Sequence, residues 1–353
     1  MIKIGNRIID QNMPPYFIAD IASNHDGDLN RALHLIELAK ESGADAAKFQ
    51  NFQASKIVSK GGFSDMGEKL SHQKSWKKSV YEVYEECTIH KEWTSRLKEK
   101  CDEVGIEYLT SPYDFESVDL VDPYVNAYKI GSGDITWIDI VEYIASKNKP
   151  VLLATGASTW EDVERALKTI YKINHQVILM QCNTNYTLSQ ENYRYINLNV
   201  INSYKEYYPE LIMGLSDHTI DHVTVLGAIA LGARAIEKHF TDDNDRTGPD
   251  HRFSQNPTTW REMVNYSLEL WSSLGDGVKR IEENEKDSSL IQRRSLYYSK
   301  DLKEADVITE DDLIPLRPMK EAGLPPYEIH KIIGKTLRKA IKADDYARWD
   351  DFI

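Results

Sequence analysis

The chain has 353 residues, of which 43 are Lys or Arg and 56 are Asp or Glu, for a formal charge of −13. That sign argues against general affinity for nucleic acid or an anionic membrane, and leaves open a local basic site for an anionic substrate. Apolar residues at 41% and charged residues at 28% exclude wholesale disorder. No apolar run approaches the ~18 residues of a membrane span, and the opening MIKIGNRIIDQNMPP lacks the apolar core of a signal peptide. Cys87, Cys101 and Cys182 form no CxxC pair, which argues against a disulfide frame or a zinc–thiolate site. The expectation is a cytoplasmic enzyme acting on something small.

Residues 1–12 predict a hairpin around Gly5-Asn6 that closes one end of the main domain. Residues 16–22 (YFIADIA) predict a strand. Residues 29–42 predict an amphipathic helix, with Leu33, Ile36 and Leu38 among its apolar positions and Gly43 as its stop. The unit then recurs, with strands predicted at 44–50, 106–111, 127–131, 151–155, 176–183, 211–216 and 233–240. Helices fall between them, as at 92–104, 160–173 and 222–231. Eight βα units over roughly 250 residues are the count and size of a TIM (β/α)8 barrel, an α/β fold. An open doubly wound sheet is the competing arrangement, but no GxGxxG opens the first helix and polar residues follow nearly every strand.

Two segments stand apart from this pattern. Residues 52–79 are too long for an ordinary βα connection, and predict an active-site lid or an interface excursion. Composition changes after Trp271, so that residues 1–275 read as the barrel, 276–293 as a charged linker and 294–353 as a separate module. That module, with Pro315, Pro318, Pro325 and Pro326, predicts short strands and turns around a core so small that it needs a docking surface. No internal repeat beyond the βα period is expected.

Catalytic groups of such a barrel sit at the C-terminal strand ends. These ends carry Asp20 with Ser23, Asn24 and His25; Lys48 and Gln50; Thr110 and Ser111; Lys129, Ser132 and Asp134; Thr155; Thr184 and Tyr186; Ser216, Asp217 and His218; and Glu237, Lys238 and His239. Strand alternation puts Lys48 with Gln50 on one face, and Glu237 with His239 on one face with Lys238 opposite.

His218 and His239, on neighbouring strands, either hold one divalent cation or serve as hydrogen-bonded structural groups. Two nitrogens without thiolate suit Mn²⁺ or Mg²⁺ better than a closed zinc site. Lys129-Ile-Gly-Ser-Gly-Asp134 supplies a cation, a hydroxyl and glycine-freed N–H groups for a phosphate, or is simply a turn. Ser216 and Thr184 add donors. Asp134 is the candidate for proton transfer with water, or else a helix N-cap, and Asp20 is a site carboxylate or a structural one. In TDDNDRTGPDHRF, Asp250 and Arg246 either reach a polyhydroxylated substrate or belong to a solvated turn.

Together these strings resemble the sialic acid synthase family, the phosphoenolpyruvate-dependent nonulosonate synthases. The resemblance runs through IADIASNHDGDLNRA, GADAAKFQ, YKIGSGD, VLLATGAS, GLSDHT and EKHFTDDNDRTGPD. It ends in RSLYYSKDLKEADVITEDDLIPLRP, which is similar to the antifreeze-like (SAF, β-clip) module of that family. It implies condensation of phosphoenolpyruvate with the open-chain aldehyde of an N-acetylmannosamine-like aldose, water adding and phosphate leaving. It also implies a catalytic set of Asp134, Asp20 and Lys48, and a metal, Mn²⁺ or Mg²⁺, on His218 and His239. Lys129, Ser132, Thr184, Ser216, Gln50 and Ser111 then bind phosphoenolpyruvate, and Asp20, Tyr186, Asp250 and Arg317 face the sugar. Arg317 would come from the C-terminal module of the other subunit, so the resemblance implies a domain-swapped homodimer.

The chain departs from the family pattern in places. Asp20 and Asp134 stand where Glu is usual, Ala154 where Ser is usual, and Thr184 where Asn often stands. Two other readings compete. One is a Schiff-base aldolase using Lys48, Lys129 or Lys238, and the other a sugar-binding homologue without turnover.

Overall fold

The eight predicted strands close on one another as a barrel. A computed structural model describes residues 1–66, 68–69 and 71–353. At its start, β1 (Ile2–Ile4) and β2 (Arg7–Ile9) pair antiparallel, with Ile2 opposite Ile9. The turn between them requires Gly5, at φ +55, because a Cβ there would lie 2.0 Å from the Glu107 carboxylate. Ile2, Ile4 and Ile9 are buried in one cluster with Tyr16, Ile18, Leu109, Leu152, Ile178 and Ile212 from the barrel interior. The hairpin therefore plugs the N-terminal end of the barrel and leaves the other end for chemistry.

The barrel strands are β3 (Tyr16–Asp20), β4 (Ala46–Asn51), β5 (Glu107–Pro112), β6 (Tyr128–Ile130), β7 (Val151–Ala154), β8 (Val177–Cys182), β9 (Ile212–Asp217) and β10 (Ala235–His239). Each runs at most one residue past its predicted segment. They pair parallel in the order β5-β4-β3-β10-β9-β8-β7-β6, and β5 packs beside β6, so the ring is nearly closed.

Helices cover the outside. Leu29–Glu41 starts on Asp28, whose carboxylate accepts from the N–H groups of Asn30 and Arg31, a cap worth about 1 kcal/mol. Its Leu35, Ile36 and Ala39 are buried in the layer between helices and strands. Trp160–Tyr171 begins on a reciprocal Thr159–Asp162 cap. The excursion after β4 contains the short helices Ala54–Ile57 and Lys60–Asp65 and is followed by Val80–Glu86; its positions 67 and 70 lie outside the described residues.

Contacts divide the chain into Met1–Gly275 and Asp276–Ile353. The second unit pairs β11 (Ser295–Tyr298) antiparallel with β12 (Leu313–Leu316) around Leu296, Tyr298, Ile308, Leu337, Ile341 and Phe352. It also holds a repeat that corrects the expectation of none. LKEADVITEDDL and IKADDYARWDDF each pass through a residue of positive φ, Ala305 and Asp344. Each then ends in a capped turn, at Thr309–Asp312 and Arg348–Asp351. Leu302 bridges Ile341 across the two copies. The repeat escapes a pattern search because only the turn positions and alternate apolar residues are kept.

Candidate active site

Strand register decides which side chains meet. Asp20 is level with Lys48 on one side and His239 on the other, Ser216 with Glu237 and Cys182, and Gln50 with Ser111. A cavity of about 370 Å³ opens over these strand ends. Asp20, Lys48, Gln50 and Ser111 line one side of the barrel mouth, Lys129, Ser132, Asp134 and Thr184 another, and Tyr186, Ser216, His218 and His239 complete it. Asp250 borders an adjoining cavity of about 160 Å³ that shares Gln50, Tyr84, Tyr113, Tyr186 and His239 with the first. Arg317 belongs to the second unit, where it is exposed.

The floor of the cavity is a buried charge network. Lys48 Nζ is 2.6 Å from Asp20 Oδ2 and 3.9 Å from Glu237 Oε1. Lys129 Nζ is 2.5 Å from Glu237 Oε1, which also accepts from Ser216 Oγ at 3.0 Å. Burial pulls the Lys48 ammonium downward, but Asp20 and Glu237 outweigh it and hold the pKa above the ordinary value. Burial pushes Glu237 up, yet Lys129 and Lys48 draw it down to about 2. Burial leaves the Asp20 carboxyl above its usual range despite Lys48. Two cations and two carboxylates thus nearly cancel, with hydroxyls at their edge.

The two imidazoles stand together above this floor, ring centres 5.4 Å apart. His218 Nδ1 is 2.8 Å from the carbonyl oxygen of Asn183; it carries the proton there, leaving the Nε2 lone pair free. His239 Nδ1 is buried without a hydrogen-bond partner among the described residues. Burial, then the neighbouring ring, lowers His218 to about 3, and burial lowers His239 to about 4, so both rings are neutral near pH 7. Tyr186 packs against His218 at 4.2 Å and Phe253 against His239 at 5.0 Å, which fixes the rings. Two neutral imidazoles with free nitrogens fit a divalent cation. Among the described residues no group of three or more His, Cys, Asp or Glu is placed to hold one, so its remaining ligands would be water or substrate oxygens.

Across the mouth, Ser132 Oγ accepts the N–H of Gly156 at 2.9 Å, and its side chain borders the cavity. Gly156 has no room for a Cβ, which would lie 2.5 Å from Thr184 Cγ2 and 3.0 Å from Cys182 Sγ. The turn after β7 therefore presses directly on the site. Asp134 ends a 3-10 turn, Ser132–Asp134, and the following helix, Ile138–Ser146, starts on Trp137 with no side-chain cap. Asp134 is not that helix's N-cap, and burial raises its carboxyl to about 6.

Several strand-end residues are diverted elsewhere. Lys238 points away from the cavity, its Nζ 2.5 Å from Asp217 Oδ2 and bonded to the Thr219 and Asp221 carbonyls. Asp217 and Lys238 are thus a buried structural pair. Asn24 donates to the Phe240 carbonyl and Ser254 Oγ, and His25 accepts the Gly27 N–H. Arg246 is paired with Asp242 at 3.1 Å, which Arg31 also binds, so it belongs to a loop clamp rather than to the cavity. Glu237 was legible as an inward residue, but its place between both lysines was not. Tyr84 and Tyr113 also line both cavities. Tyr113 follows Ser111 by two residues, a usable signal; Tyr84 comes from a helix beyond the excursion and gives none.

Comparison with known proteins agrees with this fold. The NeuB family matches residues 35–279 and the SAF domain residues 293–353. The chain is 34% identical over 342 residues to the N,N'-diacetyllegionaminic acid synthase of Campylobacter jejuni, covering 94% of this chain and 98% of that one. It is 33% identical over 357 residues to a pseudaminic acid synthase of the same species, covering 99% and 100%. Among solved structures, the N-acetylneuraminic acid (sialic acid) synthetase of Leptospira borgpetersenii superposes with a TM-score of 0.72 at 27% identity, covering 81% of this chain and 94% of that one.

Proposed function

We propose, because this chain belongs to the NeuB family, that it is a nonulosonic acid synthase. It condenses phosphoenolpyruvate with the open-chain aldehyde of an acetamido aldose and water, giving a nine-carbon 2-keto acid and phosphate. The observation that carries this reading is the convergence, at one barrel mouth, of two buried lysines and two serine hydroxyls with a pair of neutral imidazoles.

In this mechanism Lys129, Ser132, Thr184 and Ser216 hold the phosphate, and Lys48, Gln50 and Ser111 orient the rest of the enol. Holding both reactants in one cavity supplies much of the rate, since orientation alone is worth about 7 kcal/mol or more. A divalent cation, Mn²⁺ or Mg²⁺, on His218 and His239 would polarise the aldehyde oxygen. Carbon 3 of the enol then attacks the aldehyde carbon, Asp134 takes a proton from the water that adds at carbon 2, and phosphate leaves by C–O cleavage. Asp20, Tyr186 and Asp250 face the sugar. Arg317 of the partner subunit completes that face in a domain-swapped homodimer. Such a synthase would work in the cytoplasm on diffusible substrates.

The aldolase reading is less well supported. Lys238 is outside the cavity, and Lys48 is held more firmly protonated than a free lysine, the reverse of what a Schiff-base amine needs. The deciding assay is phosphate release from phosphoenolpyruvate against a panel of six-carbon acetamido aldoses with Mn²⁺ or Mg²⁺, with the product weighed by mass spectrometry. A nine-carbon keto acid is expected. No release with any aldose would reject the synthase, and a borohydride-trapped lysine adduct would establish the aldolase.

A further inference from the structure

Glu237 places a negative charge where the proposed enol phosphate, itself a phosphate dianion and a carboxylate, has to bind. Its partner in the floor, Asp20, is fully engaged: Oδ1 accepts from the Ala22 N–H, and Oδ2 from Lys48 and Gln50. Glu237 is engaged on one side only. Oε1 accepts from Lys129 and Ser216, while Oε2 is buried with no hydrogen-bond partner among the described residues, and the side chain borders the cavity. A charged oxygen shut away from water without a donor is costly, and beside an anionic ligand it is repulsive as well. Such an atom is useful where positive charge appears during reaction, because a preorganised charge acts most strongly on a charge that develops only then.

The condensation produces one. When carbon 3 of the enol bonds to the aldehyde carbon, it uses the electron pair of the C2–C3 double bond, and carbon 2 gains oxocarbenium character. The aldehyde C=O pair goes to its oxygen, which takes up a proton and becomes a product hydroxyl. The charge at carbon 2 persists until the water oxygen bonds there, one water proton going to Asp134; phosphate then leaves with the C–O electrons as the new hydroxyl loses its proton to form the ketone. Carbon 2 is joined to phosphorus through a single oxygen. The groups that would hold the phosphate, Lys129 and Ser216, both bond to the other oxygen of the Glu237 carboxylate. We propose that Glu237 is a further catalytic residue, whose unpartnered Oε2 stabilises the positive charge at carbon 2 while Oε1 keeps Lys129 in place. This role rests on the synthase reading of the same site.

The test compares wild type, Glu237→Gln and Glu237→Asp with Mn²⁺ and an accepted aldose, alongside calorimetric titration with phosphoenolpyruvate alone. Glutamine keeps an oxygen for Lys129 and Ser216 but removes the charge. It is expected to lower kcat about 100-fold while phosphoenolpyruvate binds as tightly as before or more tightly. Aspartate keeps the charge and should recover about tenfold of that loss, which also guards against a variant that merely folds badly. A glutamine variant within about threefold of the wild-type kcat overturns the inference. So does parallel loss of phosphoenolpyruvate affinity and kcat, which would make the carboxylate only a prop for Lys129. A wild-type chain that releases no phosphate with any aldose overturns the synthase reading itself.

Discussion

Asp20 and Lys48 face each other across adjacent parallel strands with 2.6 Å between their charged ends, each side chain only 3% exposed. The pair exists because β3 and β4 are in register at those two positions. Each ion is tolerated out of water only because the other is there.

Removing one partner exposes that dependence. Asp20→Ala leaves Lys48 with Glu237 at 3.9 Å as its nearest remaining carboxylate, and should destabilise the barrel by about 2–4 kcal/mol. Urea unfolding followed by tryptophan fluorescence reads this as a lower midpoint. An unchanged midpoint would mean that water in the cavity solvates the ammonium by itself.

His218→Ala and His239→Ala each remove one of the two proposed nitrogen ligands. Both variants should lose turnover and weaken Mn²⁺ binding, measured by calorimetry, by about tenfold or more. Full activity of the wild type in metal-free buffer would refute the assignment.

Asp134 gives a pH signature. Its carboxyl sits near 6 because of burial, and in the proposed role of acceptor for the water proton it would work in its basic form. Turnover should therefore rise with pH through about 6 and level off above it. Asp134→Asn should lose that limb and slow turnover by about 10²-fold or more. Stability runs the other way. The folded state holds the proton more tightly than the unfolded chain, whose Asp titrates near ~3.9, so this contribution is full below ~4 and is lost as pH rises through about 6. At pH 7 Asp134→Asn should be more stable than wild type by about 1–2 kcal/mol; equal melting temperatures at pH 5 and 7 for both proteins would contradict it.

Arg317→Ala tests the sugar face. It should raise KM for the aldose more than KM for phosphoenolpyruvate. Equal loss of both would remove Arg317 from that role. Mixing Arg317→Ala with His218→Ala protein should restore part of the activity only where subunits exchange their C-terminal modules.

The barrel was legible because its signal is local. Short, nearly continuous apolar runs such as YFIADIA, ended by polar residues and followed by helical spacing, mark each βα unit without knowledge of its neighbours. Strand alternation separated Glu237 and His239 from Lys238, and the structure keeps that separation. The turn repeat of the second unit and the place of Tyr84 in the cavity wall were not legible. The first keeps too few identities, and the second depends on where a helix far along the chain comes to rest.

Chain order by itself thus determined the number of units and the kind of side chain offered at each strand end, because alternation and capping act over a few residues. Which of those side chains touch was decided only by closing the ring. Register set Asp20 beside Lys48, closure brought Lys129 of β6 to Glu237 of β10, and Arg246 went to Asp242 instead of the cavity. Charges separated by more than a hundred residues carry no mark of one another in sequence; their pairing is a consequence of geometry and of the cost of burying either one alone.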